Sequence, residues 1–133
     1  MSVDKMNFIV IDDSKLDCFI AEKIILNSGM CESVKVFQQA SQALEHIQAV
    51  GTAQGTTVVF VDIQMPVMNG FEFVENFEKM PDGLKKNYHM YMLSSSINEN
   101  DIARVKGYDS VRRFLNKPLT NDTIKAVLEE FNA

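Results

Sequence analysis

The chain is poor in cysteine, in positive charge and in long apolar stretches, and each shortage excludes a class of protein. Its 133 residues hold two cysteines, Cys18 and Cys31, which form no Cys-x-x-Cys pair. Two cysteines cannot build a disulfide framework, so a reducing, cytoplasmic setting is expected. A formal net charge of -5 argues against nucleic acid as a partner, because broad nucleic-acid binding needs a basic surface. The apolar stretch that follows Asp4 and Lys5 is too short for a signal peptide or a membrane span. No repeat, low-complexity segment or linker divides the chain, and its length fits one domain over residues 1–133. Only 16 residues follow Lys117, enough for one closing helix and too few for an output domain. The eight methionines read as gap-fillers of an apolar core.

What the chain does have is a fivefold alternation of short β-rich runs with helical patterns. Strands are expected at about Asn7–Ile11, Val34–Phe37, Val58–Val61, Met90–Leu93 and Arg113–Leu115. The central runs are continuously apolar, as in parallel strands covered on both faces. Helices are expected at about Lys15–Asn27, Gln39–Val50, Gly70–Glu78, Asn98–Lys106 and Asn121–Phe131. Ser14-x-x-Asp17 is a plausible cap for the first, whose apolar set Phe19, Ile20, Ile24 and Ile25 keeps helical spacing, and Gly29 follows its end. Thr120 can cap the last, with Ile124, Val127, Leu128 and Phe131 facing inward. Gly51–Thr56 and Pro81–Asn87 read as turns. The pattern predicts an α/β doubly wound sheet of five parallel strands.

Charges stand where the apolar runs stop. Asp12 and Asp13 close the first, Asp62 the third, and Lys117 follows the fifth. In open parallel sheets, ligands bind outside the carboxyl ends of the strands. With strand order 2-1-3-4-5, the first and third strands are neighbours, and the three carboxylates meet at about the 5 Å inter-strand spacing. Two carboxylates at that distance repel by about 3 kcal/mol at an effective dielectric of 20. That is roughly two pKa units per pair, so three ionised groups require a cation among them. Oxygen ligands with room for water favour Mg²⁺. The fourth strand ends at Ser94, whose hydroxyl can donate to an anion held at Asp62. The fifth is about 10 Å from Asp62, and the long Lys117 side chain can span the gap. Such a set suits a phosphoryl group in transit.

The motifs Ile11-Asp12-Asp13-Ser14, Val61-Asp62-Ile63-x-Met65-Pro66-x-Met68-Asn69-Gly70, Met92-Leu93-Ser94-Ser95 and Phe114-Leu115-Asn116-Lys117-Pro118 resemble those of the two-component response regulator receiver domain. The resemblance covers nearly the whole chain and is to stand-alone, chemotaxis-regulator-like receivers with the flavodoxin-like (βα)5 fold. It implies that Asp62 accepts phosphate from a phosphohistidine of a sensor histidine kinase or histidine phosphotransfer protein. It implies Mg²⁺ bound directly by Asp13, Asp62 and the Gln64 carbonyl, with Asp12 helping through water. Ser94 and Lys117 would bind the phosphoryl oxygens, and Phe114 takes the place of the switch aromatic. Gln64 and Ser96 occupy positions that tune dephosphorylation. Lys117–Pro118 is a candidate cis peptide. The face formed by the fourth helix, fifth strand and fifth helix is expected to change and to meet a downstream protein target. An alternative is a relay intermediate that hands phosphate to a histidine phosphotransfer protein.

Two other classes fit the residues less well. An aspartyl-phosphate-forming phosphatase of the haloacid-dehalogenase type needs an Asp two residues after the nucleophile, where Gln64 stands. A flavin carrier needs a hydroxyl- and glycine-rich loop after the first strand, where Asp12 and Asp13 would repel its phosphate. The expected activity is therefore limited to the domain's own phosphorylation and dephosphorylation. Arg104, Lys106, Arg112 and Arg113 form a locally basic segment, either a solvated face or a partner contact. His46 and His89 have no second ligand placed near them in the pattern.

Overall fold

The structure is a computed structural model that describes residues 5–53, 55–96 and 98–132, with side chains to residue 130. Strands and helices alternate as β1 (Met6–Ile11), α1 (Lys15–Asn27), β2 (Cys31–Phe37), α2 (Ala40–Val50), β3 (Thr57–Asp62), α3 (Gly70–Glu78), α4 (Asp82–Lys85), β4 (Tyr88–Ser94), α5 (Glu99–Val105), β5 (Val111–Asn116) and α6 (Asn121–Asn132). The strands form one sheet, parallel as the alternation predicted, in the supposed order β2-β1-β3-β4-β5. The ladders run up to three residues past the apolar cores of the strands, because backbone pairing continues where side-chain burial stops. The sequence pattern read 81–87 as a turn, whereas Asp82–Lys85 winds into the short α4. Pro81 opens it, and its carbonyl accepts the Leu84 and Lys85 amides at 3.1 Å. A proline is well placed there, since the first amides of a helix have no partner to lose.

Side chains alternate between the two faces of the sheet, and each face has its own core. Ile9, Ile11, Val59, Val61, Met90 and Met92 pack with Ala43, Ile47, Phe73 and Phe77. Phe8, Val10, Val58, Phe60, Tyr91 and Leu93 pack with Cys18, Ala21, Ile25, Ile124 and Val127. Each large apolar side chain buried this way is worth about 1.5–3 kcal/mol. The inward place expected for Phe131 lies outside the described side chains. The expectation for α1 needs correction. Cys18, Ala21 and Ile25 form its buried face, while Leu16, Phe19 and Leu26 are 66%, 54% and 55% exposed. Small residues on the inward face let the helix lie close to the sheet, and this turns Phe19 outward.

The connection from β3 to α3 is tightly built. Val67 has φ +68°, rare for a β-branched residue, and closes a three-residue turn in which the Met68 amide donates to the Pro66 carbonyl at 2.8 Å. Asn69 and Glu72 cap α3 reciprocally, each side chain bonding to the other's amide at 2.9 and 3.0 Å. Gly70 then rests on the backbone of the preceding strand end, its amide donating to the Ile63 carbonyl at 2.9 Å. A β-carbon at Gly70 would lie 2.6 Å from the Asp62 carbonyl oxygen and 2.8 Å from the Ile63 Cα. Gly70→Ala should therefore destabilise the fold by about 1–3 kcal/mol through overpacking. Urea unfolding checks this, and an unchanged midpoint would contradict the contact.

Candidate functional site

Parallel register places the charged residues. Ile11 pairs with Val61, so Asp12 and Asp62, one step further on, stand side by side at the ends of β1 and β3. Asp62 pairs with Leu93, and Leu93 with Leu115, which aligns β5 with the same end of the sheet. Lys117, two residues past Leu115, turns to the same face as Asp12 and Asp62. Its backbone amide donates to the Ser94 carbonyl at 2.9 Å, and the peptide bond that follows, to Pro118, is cis as expected.

The Lys117 ammonium lies 2.6 Å from Asp12 Oδ2, 3.0 Å from Asp17 Oδ2 and 3.3 Å from Asp62 Oδ2. Burial alone would push its pKa down. Hydrogen bonds to Asp12 and Asp17 and the charges of Asp12 and Asp62 outweigh burial and hold the group above its ordinary value, so it stays charged. Asp12 is 1% exposed, and its Oδ1 accepts the Ser14 amide at 2.9 Å. Asp62 is 5% exposed, and its Oδ1 accepts the Gln64 amide at 3.2 Å. Its pKa is pushed up to about 6, by burial first and by the Asp12 charge second, against the opposing pull of Lys117.

Asp12, Asp13 and Asp62 each present one carboxylate oxygen, all within 4.8 Å of one another. Asp13 is exposed while the other two are buried, so the cluster opens to solvent on the Asp13 side. Three hard oxygen donors with an open side fit Mg²⁺, which keeps several of its waters. Gln64 is exposed at the rim of this cluster.

The remaining expected residues lie toward the other face of the sheet. Ser94 is buried, and its hydroxyl donates to the Ser96 carbonyl at 2.9 Å and accepts the Ser96 amide at 3.1 Å. It is thus turned toward its own loop instead of toward Asp62. Ser96 itself is exposed. Phe114 is half-buried and already packs on the core shared with α2 and α3. Sequence reasoning missed Asp17 as a member of the charged cluster, reading it only as part of a helix cap. No spacing signalled it, since Asp13 precedes the cap of α1 and only the reach of Lys117 brings Asp17 into the cluster.

The basic segment is largely engaged within the molecule. Arg104 bonds to Glu75 at 3.1 Å and covers the Phe71 ring at 4.2 Å, and the Tyr108 hydroxyl shares the same Glu75 carboxylate. Arg113 pairs with Glu130 at 3.0 Å, and Arg112 Nε donates to His89 Nδ1 at 3.0 Å. His46 packs on Phe37, and burial, then Lys35, lowers its pKa. Cys18 lies beside the cluster, but burial, then Asp12 and Asp17, pushes its thiol to about 11, which leaves it unreactive. No helix among the described residues is long and apolar enough to cross a membrane.

Comparison with known proteins agrees with this fold. The response regulator receiver domain family model matches residues 8–129. A response regulator receiver protein from Dyadobacter fermentans is 33% identical, with a TM-score of 0.87 over 96% of this chain and 98% of that one. A two-component response regulator from Cytophaga hutchinsonii superposes with a TM-score of 0.89 at 22% identity, over 98% of this chain and 100% of that one. The chemotaxis protein CheY4 of Vibrio cholerae reaches 0.76 at 22% identity, over 96% and 98% of the two chains. The latter two show likeness of fold.

The raised pKa of Asp62 has a measurable consequence. Its ordinary value is 3.8 and its folded value about 6, so its contribution to stability is present below pH 4 and lost as pH rises through 6. Asp62→Asn removes that ionisation. In the absence of divalent cations, the variant should gain about 1–2 kcal/mol relative to wild type between pH 4 and 7. Denaturation at a series of pH values in EDTA measures the difference, and a difference independent of pH would contradict it.

Proposed function

The chain belongs to the response regulator receiver domain family, and on that premise we propose that Asp62 accepts a phosphoryl group and thereby switches a protein-binding face. The observation that carries this reading is the position of Asp62: buried, beside Asp12 and Asp13, and within 3.3 Å of the Lys117 ammonium. The donor is a phosphohistidine on a sensor histidine kinase or a histidine phosphotransfer protein. In the transfer, an Asp62 carboxylate oxygen bonds to phosphorus as the phosphorus–nitrogen bond breaks. The imidazole leaves with that electron pair. Asp62 at neutral pH is largely ionised despite its raised pKa, so the nucleophile needs no separate base.

Asp13, Asp62 and the Gln64 carbonyl would hold Mg²⁺. Asp12 has both oxygens engaged, by the Ser14 amide and by Lys117, which supports an indirect role through water. When bound, the ion neutralises part of the charge that accumulates on the phosphoryl oxygens. Lys117 donates to one phosphoryl oxygen. Ser94 donates to another after its hydroxyl leaves Ser96, exchanging a neutral hydrogen bond for a charge-assisted one. That rotation vacates space next to Phe114, whose ring moves further inward. The ring starts half-buried, so the gain is a fraction of the roughly 2 kcal/mol for full burial, and the switch is a shift of populations. The changed surface lies on α5, β5 and α6 and is read by a downstream protein. Gln64 and Ser96 tune the loss of phosphate by water, and the domain has no other substrate to turn over.

The donor has a landing surface. Leu16 and Phe19 project from α1 next to Asp17 and the open, Asp13 side of the cluster. Exposed apolar side chains beside a reaction centre suit a partner that must bring its histidine within bonding distance.

Incubation with acetyl phosphate and Mg²⁺ should place one alkali-labile phosphate on the chain, and Asp62→Asn should abolish it. Undiminished labelling of that variant would refute the assignment. Leu16→Ala combined with Phe19→Ala should slow transfer from a phosphorylated histidine-phosphotransfer donor about tenfold or more while leaving labelling by acetyl phosphate unchanged. Equal slowing with both donors would rule out a docking role for α1.

A further inference from the structure

Among the described residues, Asp17 is the one carboxylate paired with Lys117 that lies outside the group able to hold a metal. Asp12 and Asp62 belong to that group, together with Asp13. The Lys117 ammonium has three donors and faces three carboxylates, at 2.6 Å from Asp12, 3.0 Å from Asp17 and 3.3 Å from Asp62. Lys117 lines a small cleft together with Asp17, Ile20, Ala21, Leu93 and Pro118, and the arc open to its ammonium runs between α1 and Asp62. Asp17 is fixed at one end of that arc. It lies on the first turn of α1, and its backbone amide is capped by the Ser14 hydroxyl at 3.2 Å.

We propose that Asp17 is a positioning residue that holds Lys117 toward α1 and so restrains its delivery to the phosphoryl group on Asp62. The inference rests on the phosphoryl-accepting role proposed for Asp62. A divalent cation on Asp13 and Asp62 weakens the hold of the metal-side carboxylates on the ammonium, since two cations then share the same negative charge. Asp17 faces no such competition. Its pull therefore opposes the new bond from Lys117 to a phosphoryl oxygen throughout the transfer. The carboxylate is 38% exposed on its side chain, so the restraint is that of a partly solvated ion pair, enough to slow transfer and too weak to prevent it.

The test is the single-turnover rate of labelling by acetyl phosphate in excess Mg²⁺. In that reaction an Asp62 oxygen bonds to phosphorus as the bond to the acetyl oxygen breaks, and acetate leaves with the electron pair. Asp17→Asn keeps the shape and the capped amide, and should raise the limiting rate about two- to fivefold, the size of effect typical of one half-exposed ion pair. Asp17→Glu, which keeps the charge, should stay nearer the wild-type rate. In a Lys117→Met background, Asp17→Asn should have no effect. A rate for Asp17→Asn equal to that of wild type would overturn the proposal. So would an acceleration that persists in the Lys117→Met background, because it would come from reduced repulsion of the anionic donor. Failure of wild type to label at Asp62 would instead refute the function itself, and this inference with it.

Discussion

One ammonium group holds the end of this sheet together. Asp12, Asp17 and Asp62 converge within 3.3 Å of Lys117 Nζ, and Asp12 and Asp62 are almost fully buried. Buried carboxylates of like charge destabilise one another unless a cation lies among them. Lys117 supplies that charge, and strong pairing keeps it protonated in spite of its burial. The resting fold therefore carries its own substitute for part of the charge that a divalent ion would bring. The site is charged and ready without being strained apart, and any ion or phosphoryl group that enters must renegotiate its pairing with this one side chain.

The backbone makes that convergence unavoidable. The register of β1 on β3 sets Asp12 beside Asp62, and the register through β4 to β5 brings Lys117 to the same edge. A one-residue slip would turn Asp62 to the opposite face and bury a charge among Val61 and Met92. Gly70 adds a second constraint, because α3 begins in contact with the peptide that carries Asp62. Asp62 is thus fixed by sheet pairing on one side and by a helix start on the other, a placement on rigid elements that suits the phosphoryl-accepting role proposed for it.

Much of this was legible in the sequence. Continuous apolar runs ending in charge gave the strands, their parallel pairing and the edge where the carboxylates gather. The motifs around Asp12, Asp62, Ser94 and Lys117 pointed to the family, which the match over residues 8–129 shows. What escaped the sequence depends on side-chain direction. Phe19 carries a helical-core spacing yet points outward, because the smaller Cys18 and Ala21 set the packed face of α1. Asp17 looked like a helix cap, and only the reach of Lys117 brings it into the cluster. The hydroxyl of Ser94 is turned to Ser96 by a local loop bond that no spacing rule foretells. The short α4 hid behind Pro81, which reads equally as a turn signal and as a helix opener.

The two separate cores carry a further consequence. Asp12, Asp62 and Lys117 lie on the side of the sheet that packs against α1 and α6, while Phe114 packs on the side of α2 and α3. The sheet is a partition one strand thick, and the loops at its carboxyl edge border both sides of it. Substitutions that reshape the α1 side have little mechanical purchase on the α3 side, and the reverse holds as well. Such a layout lets the two faces of the sheet diversify at independent rates, with the edge loops as the region that borders both.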